Sequence, residues 1–457
     1  MDKGISMHAD PVRMDDLPLN RFHLRIAGLT FGAHLTDGYV LGVIGFALVM
    51  LTPQMGLTPL QEGLVGGSAL FGLFLGSLVL GWISDHIGRQ KIFNFSFVLI
   101  TLASFLQFFV SNVEQLILLR VLIGIGLGGD YSVGHTMLAE FAPRKHRGVL
   151  LGAFSVVWTL GYVLASLIGH LMVDSGADAW RWLLASAAFP ALLITFLRWG
   201  TPESPRWLMR QGRVSEAHQI VCRCFGEHVV ISDEIAVPTS RHLRTLFSEQ
   251  YWRRTAFNSL FFVCLVIPWF AIYTWLPSIT GLLGMQDGLT ASLLLNMVLV
   301  VGAIAGLVLT HRCSRRGFLI GGFLVLFLSL TALALVPEQH GTIILLLFFI
   351  FTLTISAVSN LVGVLPAESF PTDIRSLGVG FATSMSRFGS AISTGLLPVA
   401  LVSFGVQNTM LLLSAVLMLG LLVSVFWAPE TRNMSLVTAS GNKEQPPGVN
   451  HEHSVSL

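Results

Sequence analysis

Between Arg120 and Gly148 an apolar stretch, long enough to cross a bilayer as one helix, carries Arg120 near one end, Asp130 near its middle and Glu140 near the other. A charge at bilayer depth costs about 2.5–3.5 kcal/mol on insertion scales, so such groups face a cavity or a partner. Gly124, Gly126, Gly128 and Gly129 remove side-chain bulk and let a second helix approach closely. Together these features point to a polar path through a membrane protein. The alternative is a buried structural ion network, the preferred reading for Glu140 at the helix end. Upstream, Asp37 falls in mid-helix with His34 three residues earlier on nearly the same face. A carboxylate there can take a proton from one side and release it to the other, because burial and nearby charge set its proton affinity. His34 taken alone reads as a hydrogen-bonded packing residue.

Further along, Arg387 stands between Ser386 and Phe388-Gly389 in another apolar run. A guanidinium in a low-dielectric cavity can clamp a carboxylate through two parallel hydrogen bonds. The alternative is neutralisation of an internal carboxylate, with Asp130 the obvious choice. Tyr39, Tyr131, Trp158, Trp269, Tyr273 and Trp275 are placed to line an amphipathic pocket, although each taken singly also suits packing. No nucleophile–base pair, phosphate loop or metal cluster is evident, so neither an enzyme nor a bound cofactor is expected. His218, Cys222 and Cys224 match no zinc spacing, and the four cysteines indicate no disulfide framework.

The elements that must position these groups follow from composition. Of 457 residues, 53% are hydrophobic and only 11% charged, whereas a soluble chain is usually about 25% charged. The expected fold is an all-α membrane protein. Twelve apolar segments approach the length a bilayer requires: 23–50, 61–83, 92–111, 115–139, 149–173, 182–200, 255–281, 289–310, 318–336, 342–365, 377–403 and 409–428. The predicted organisation is a tail (1–22), a six-helix bundle (23–200), a central loop (201–253), a second six-helix bundle (254–430) and a polar C-terminal tail (431–457). Pro268 and Pro277 mark a helix expected to bend. With the N-terminus placed inside, every Lys and Arg except Arg120, Arg181 and Arg387 falls on the cytoplasmic side. The positive-inside rule then puts both termini in the cytoplasm. No cleavable signal is expected, since the first twenty residues are polar. The net charge of +2 says nothing of nucleic acid.

The two halves repeat each other. Glu140-x-x-Pro143-x-x-x-Arg147 matches Glu368-x-x-Pro371-x-x-x-Arg375, Pro202-Glu203-Ser204 matches Pro429-Glu430-Thr431, and Asp85 through Arg89 matches His311 through Arg315. The offsets are 228, 227 and 226 residues (Glu140 to Glu368, Glu203 to Glu430, Asp85 to His311). Two parallel six-helix repeats are a secondary-transporter architecture, with substrate held near the midplane. Gly81-Trp82-Ile83-Ser84-Asp85-His86-Ile87-Gly88-Arg89 resembles the loop signature of the major facilitator superfamily. Pro202-Glu203-Ser204-Pro205-Arg206-Trp207-Leu208 resembles that of its sugar-porter branch. The resemblance covers about residues 20–435 and implies twelve helices in two pseudo-symmetric bundles that rock around a central site. It also implies a cytoplasmic gate of Asp85, Arg89, Glu140, Arg147, Glu203, Arg206, Glu368, Arg375, Glu430 and Arg432 that latches the halves together. His311 stands where an aspartate is usual. Proton-coupled members pair a helix-one aspartate with a helix-four arginine, positions that Asp37 and Arg120 match.

The resemblance divides over substrate. Cys264-Leu265 stands where sugar porters carry glutamines, and Gly363 replaces their helix-ten tryptophan. Gly128-Gly129-Asp130-Tyr131 is similar to the helix-four motif of phosphate:proton symporters, and organic-anion carriers often have an arginine at the position of Arg387. The expected activity is proton-coupled import of a small organic anion of carboxylate type, by a monomer in the inner membrane. The expected site is Asp130, Tyr131, Trp158, Trp269, Tyr273 and Arg387, with Asp37, Arg120 and His34 serving proton coupling. Alternatives are a sugar, polyol or phosphate symporter, an exporter, or a non-transporting nutrient sensor.

Overall fold

A computed structural model describes residues 12–231, 243–283, 288–337, 340–370 and 374–431. The first half contains α1 (Arg21–Met55), α2 (Pro59–Ile87), α3 (Arg89–Leu106), α4 (Val113–Phe141), α5 (Arg144–Met172) and the pair α6 (Ala179–Ser186) and α7 (Ala188–Arg198). Two short helices, α8 (Pro205–Arg210) and α9 (Val214–Phe225), lie in the central loop. The second half contains α10 (Trp252–Thr274) with α11 (Leu276–Leu282), α12 (Gly288–Arg312), α13 (Arg315–Leu335), α14 (Gly341–Val358) with α15 (Leu361–Ser369), and α16 (Arg375–Trp427).

Among the described residues eleven helical segments are long and apolar enough to cross a membrane. The last is too long for one crossing: 53 residues would extend about 80 Å as a straight helix. Gly405, at φ 77°, turns the chain there and divides α16 into two crossings. With that turn the twelve expected spans are present.

Helix ends follow local chemistry. Asn20 and His23 form a reciprocal cap on α1, Thr58 and Gln61 on α2, and Asn112 caps α4. Gly124 brings α4 against α2: a Cβ there would strike the Ala69 carbonyl. Gly38 does the same for α1 and α5 against the Trp158 carbonyl. The interruption expected in the region of Pro268 and Pro277 falls between them. Pro268 lies inside α10, and the helix is interrupted at Trp275. Pro277 then occupies the first turn of α11, where its missing N–H leaves no bond unmade.

One apolar cluster joins both halves, including Ile44 and Val65 of one and Trp275 and Leu397 of the other. At the face opposite the central loop Trp275 Nε1 donates to the Thr394 carbonyl at 3.0 Å beside Gly66. Toward the loop face the clusters separate. One around Phe93, Met137 and Phe154 stays in the first half, and one around Leu246, Tyr251 and Phe370 stays in the second. The far face is thus packed across both halves, while these loop-face clusters each stay within one half.

The tail and central loop are knitted together. Strand β1 (Val12–Arg13) pairs in parallel with β2 (Val229–Val230), and Met14 is buried with Trp207, Leu208, Ala217 and Val221.

Candidate functional site

The densest cluster of buried polar groups lies where α1, α4, α5 and α7 meet. One ligand atom from each of His34, Asp37 and Asp130 falls within 4.8 Å of the others, and all three residues are buried. Both carboxylate oxygens of Asp37 lack a hydrogen-bond partner. Asp130 and Arg198 are in ion-pair contact at 2.7 Å with neither side chain exposed, although the contact is not aligned as a hydrogen bond. Arg198 is anchored further: Nη1 donates to the Phe93 carbonyl at 2.7 Å, and the guanidinium lies 3.4 Å and 4.2 Å from the Phe93 and Phe97 ring centres. Two carboxylates and one guanidinium carry a net charge of −1, which a single proton on Asp37 would cancel.

This arrangement corrects two expectations. Arg198 counted among the loop cations, yet it is buried and turned inward from the end of α7. Arg120 was expected to pair with Asp37. It is buried, its Nε and Nη2 have no partner, and no described carboxylate pairs with it. The reason is level: Arg120 is ten residues from Asp130 on α4, about 15 Å along the axis, while Asp37 sits beside Asp130. The near cation is Arg198.

Arg387 projects into the seam between halves, with its guanidinium 5.3 Å from the Tyr131 ring centre and 5.7 Å from that of Phe270. It is half-buried, and no described carboxylate pairs with it. Asp130 is thus neutralised by Arg198 and not by Arg387. Trp158 packs across the seam on Trp269, with ring centres 5.2 Å apart, and its Nε1 lies near Tyr131 with no aligned partner. Tyr162 and Phe270 complete this aromatic wall.

Three other aromatics expected at the pocket have packing roles instead. The Tyr273 hydroxyl donates to Thr352 Oγ1 at 2.7 Å within the second half. Tyr39 is hydrogen-bonded to Ser186 Oγ at 2.6 Å. Trp275 belongs to the far-face seam. Tyr131, Trp158, Trp269 and Arg387 meet at the seam, the Tyr273 ring lies 5.1 Å from that of Trp269, and Asp130 belongs to the first-half cluster.

At the loop face the repeated motifs explain one another. Glu203 accepts the backbone N–H groups of Arg89 and Gln90, both at 3.1 Å, and so caps the start of α3. Arg89 contacts Glu140 at 2.9 Å and Asp85 at 3.7 Å, and Ser204 Oγ donates to Glu140. In the second half Glu430 accepts the Arg315 N–H at 3.1 Å and the Ser314 hydroxyl, Arg315 contacts Glu368 at 3.5 Å, and Thr431 donates to Glu368 at 2.5 Å. Every ion pair described here stays within one half. Among the described pairs none bridges the halves, and each of these networks braces its own bundle. Arg206 lies in α8. The side chains of Arg147 and Arg375, and all of Arg432, lie outside the described residues. Cys222 and Cys224 lie in α9, where burial pushes the Cys224 thiol up, the reverse of what a metal thiolate requires.

The sequence reading missed Arg198, His135, Phe93 and Phe270 as site residues. For Arg198 a signal existed: Arg at the last position of an apolar run, beyond which the loop begins.

Comparison with known proteins decides the family. The model described as sugar (and other) transporter matches residues 28–440. The chain belongs to this family. An inner membrane metabolite transport protein of Escherichia coli, YgcS, is 68% identical over 451 residues, covering 99% of this chain and 100% of its own. The niacin transporter NiaP of Acinetobacter baylyi is 26% identical, covering 93% and 98%. The xylose transporter XylE from E. coli in its inward-open conformation shares the fold, with a TM-score of 0.74 at 19% identity and coverage of 92% and 99%. This sugar-transporter-family chain is a multi-pass inner-membrane protein that carries a metabolite, and it is not an enzyme.

Proposed function

We propose that this protein imports a small organic anion together with a proton, and that the anion is a planar carboxylate of aromatic type. The observation that carries the reading is Arg387. A permanent cation stands in the seam between halves with no described acidic partner, flanked by the faces of Tyr131 and Phe270. A carboxylate meets the guanidinium fork while an attached ring lies against Tyr131 and Trp158. The niacin transporter among the relatives carries a substrate of this chemistry. The asymmetry of Lys and Arg supports a cytoplasmic loop face. Asp37 takes the proton. With the Asp130–Arg198 pair already neutral, an ionised Asp37 leaves one uncompensated charge in the first half, and protonation removes it.

A sugar is the second reading, favoured by the likeness to the xylose transporter. Cys264 and Leu265, where sugar porters carry glutamines, are buried and apolar, which counts against a hexose.

A thermal-shift screen of the purified protein against nicotinate, benzoate, xylose and inorganic phosphate at two pH values separates these readings. Nicotinate or benzoate should stabilise the protein by mass action, more so at the lower pH, and Arg387→Ala should abolish the shift. Stabilisation by xylose alone would overturn the anion reading.

A further inference from the structure

We infer that His34 and His135 form a two-imidazole relay that carries the proton from Asp37 to the loop-face cavity. This inference rests on the proton-coupled reading of Asp37 and adds its exit route. His34 is buried one turn before Asp37, with a ring nitrogen inside the 4.8 Å cluster. Its Nδ1 is tied to the Thr30 carbonyl at 3.2 Å. A carbonyl only accepts, so Nδ1 keeps the hydrogen and Nε2 offers a lone pair. That Nε2 is buried with no partner. His135, on α4, repeats the arrangement: its Nδ1 is bound to the Tyr131 carbonyl at 2.9 Å, which leaves its own Nε2 as acceptor. The two rings lie 4.7 Å apart at 74°. His34 is buried, whereas His135 is only half-buried, so the pair leads from the interior outward.

Phe154 of α5 fixes both rings. It stacks on His34 at 4.1 Å and 13°, and meets His135 edge-on at 4.5 Å. The transfers balance. Protonated Asp37 gives its proton to His34 Nε2, forming a carboxylate and an imidazolium; His34 passes that proton to His135 Nε2 and returns to neutral; His135 releases it to water. Other charged or titratable groups around the pair are Asp130 and Tyr131 of α4, Arg198 of α7 and Arg387 of α16.

The test uses full-length purified protein and time-resolved infrared spectroscopy after a pH jump. The carbonyl band of protonated Asp37 is assigned by its loss in Asp37→Asn. His135→Leu should slow the decay of that band by about a hundredfold, the lower end of what a positioned proton-transfer group contributes, without moving the pH at which it titrates. Added imidazole should restore part of the rate, and His135→Gln should be slow as well. If the band titrates but decays at the native rate in both variants, the relay is overturned while Asp37 stands as the proton carrier. If His135→Leu shifts the titration midpoint and imidazole rescues nothing, His135 is structural and the relay is overturned. If no Asp37 band titrates, both the relay and proton coupling through Asp37 fall.

Discussion

Asp130 and Arg198 show how a buried charge is tolerated and what its removal costs. Each is fully enclosed, and taking one partner away leaves the other stranded, at a cost of about 3–5 kcal/mol. Arg198→Ala should therefore lower the unfolding midpoint strongly, and Asp130→Asn should recover much of the loss when combined with it. A double variant no more stable than Arg198→Ala alone would show that Arg198 acts through its Phe93 and Phe97 contacts. Asp37 behaves differently, having no partner to strand. Asp37→Asn should keep the fold and abolish uptake against a gradient in proteoliposomes, while exchange of bound substrate persists. Accumulation by the Asn variant would remove Asp37 from coupling. These roles were only partly legible. Sequence identifies which carboxylates lie at membrane depth, because an acid in an apolar run stands out. It does not say which way a long Arg side chain turns at a helix end, so Arg198 passed for a loop cation and Arg120 took its place as partner.

At the scale of elements, the repeated motifs resolve into one device used twice. A carboxylate after the sixth span caps the third, and one after the twelfth caps the ninth: Glu203 on α3 and Glu430 on α13. An anion at a helix N-terminus contributes about 0.3–1 kcal/mol when exposed and more when partly buried. Glu203→Gln and Glu430→Gln should each lower thermal stability, by about 1 kcal/mol, and by similar amounts because the geometry repeats. A loss in one half without the other would mean the symmetry is of sequence only. This level was the most legible, since motif spacing, span lengths and caps are local properties. The break at Trp275 was less so: prolines were visible at positions 268 and 277, but only tertiary packing selects where a helix yields. The pairing of β1 with β2 left no sequence signal, each strand being two residues long.

For the whole molecule the question is how two bundles exchange faces. The far face is shut by close backbone approach: a Cβ on Gly63 would meet the Gly395 carbonyl, so α2 and α16 pack there with no room for a side chain. Bundle cores and seams are close-packed and bistable, so a wedge at one face biases the opposite one. Gly63→Leu should force the far face apart and close the loop face. Gly152, on α5 near the loop face, where a Cβ would lie 3.6 Å from Leu307 of α12, reports the change. In a background with Cys222, Cys224, Cys264 and Cys313 replaced by serine, the rate at which Gly152→Cys reacts with a water-soluble maleimide applied to the loop face sets the reference. Adding Gly63→Leu should slow that reaction several-fold, as the population moves toward the state open on the far side. The same variant should still bind the anion at Arg387, since the seam's midpoint is not the site of the wedge. Equal labelling with and without the leucine would mean that the two faces are not coupled through rigid bundles.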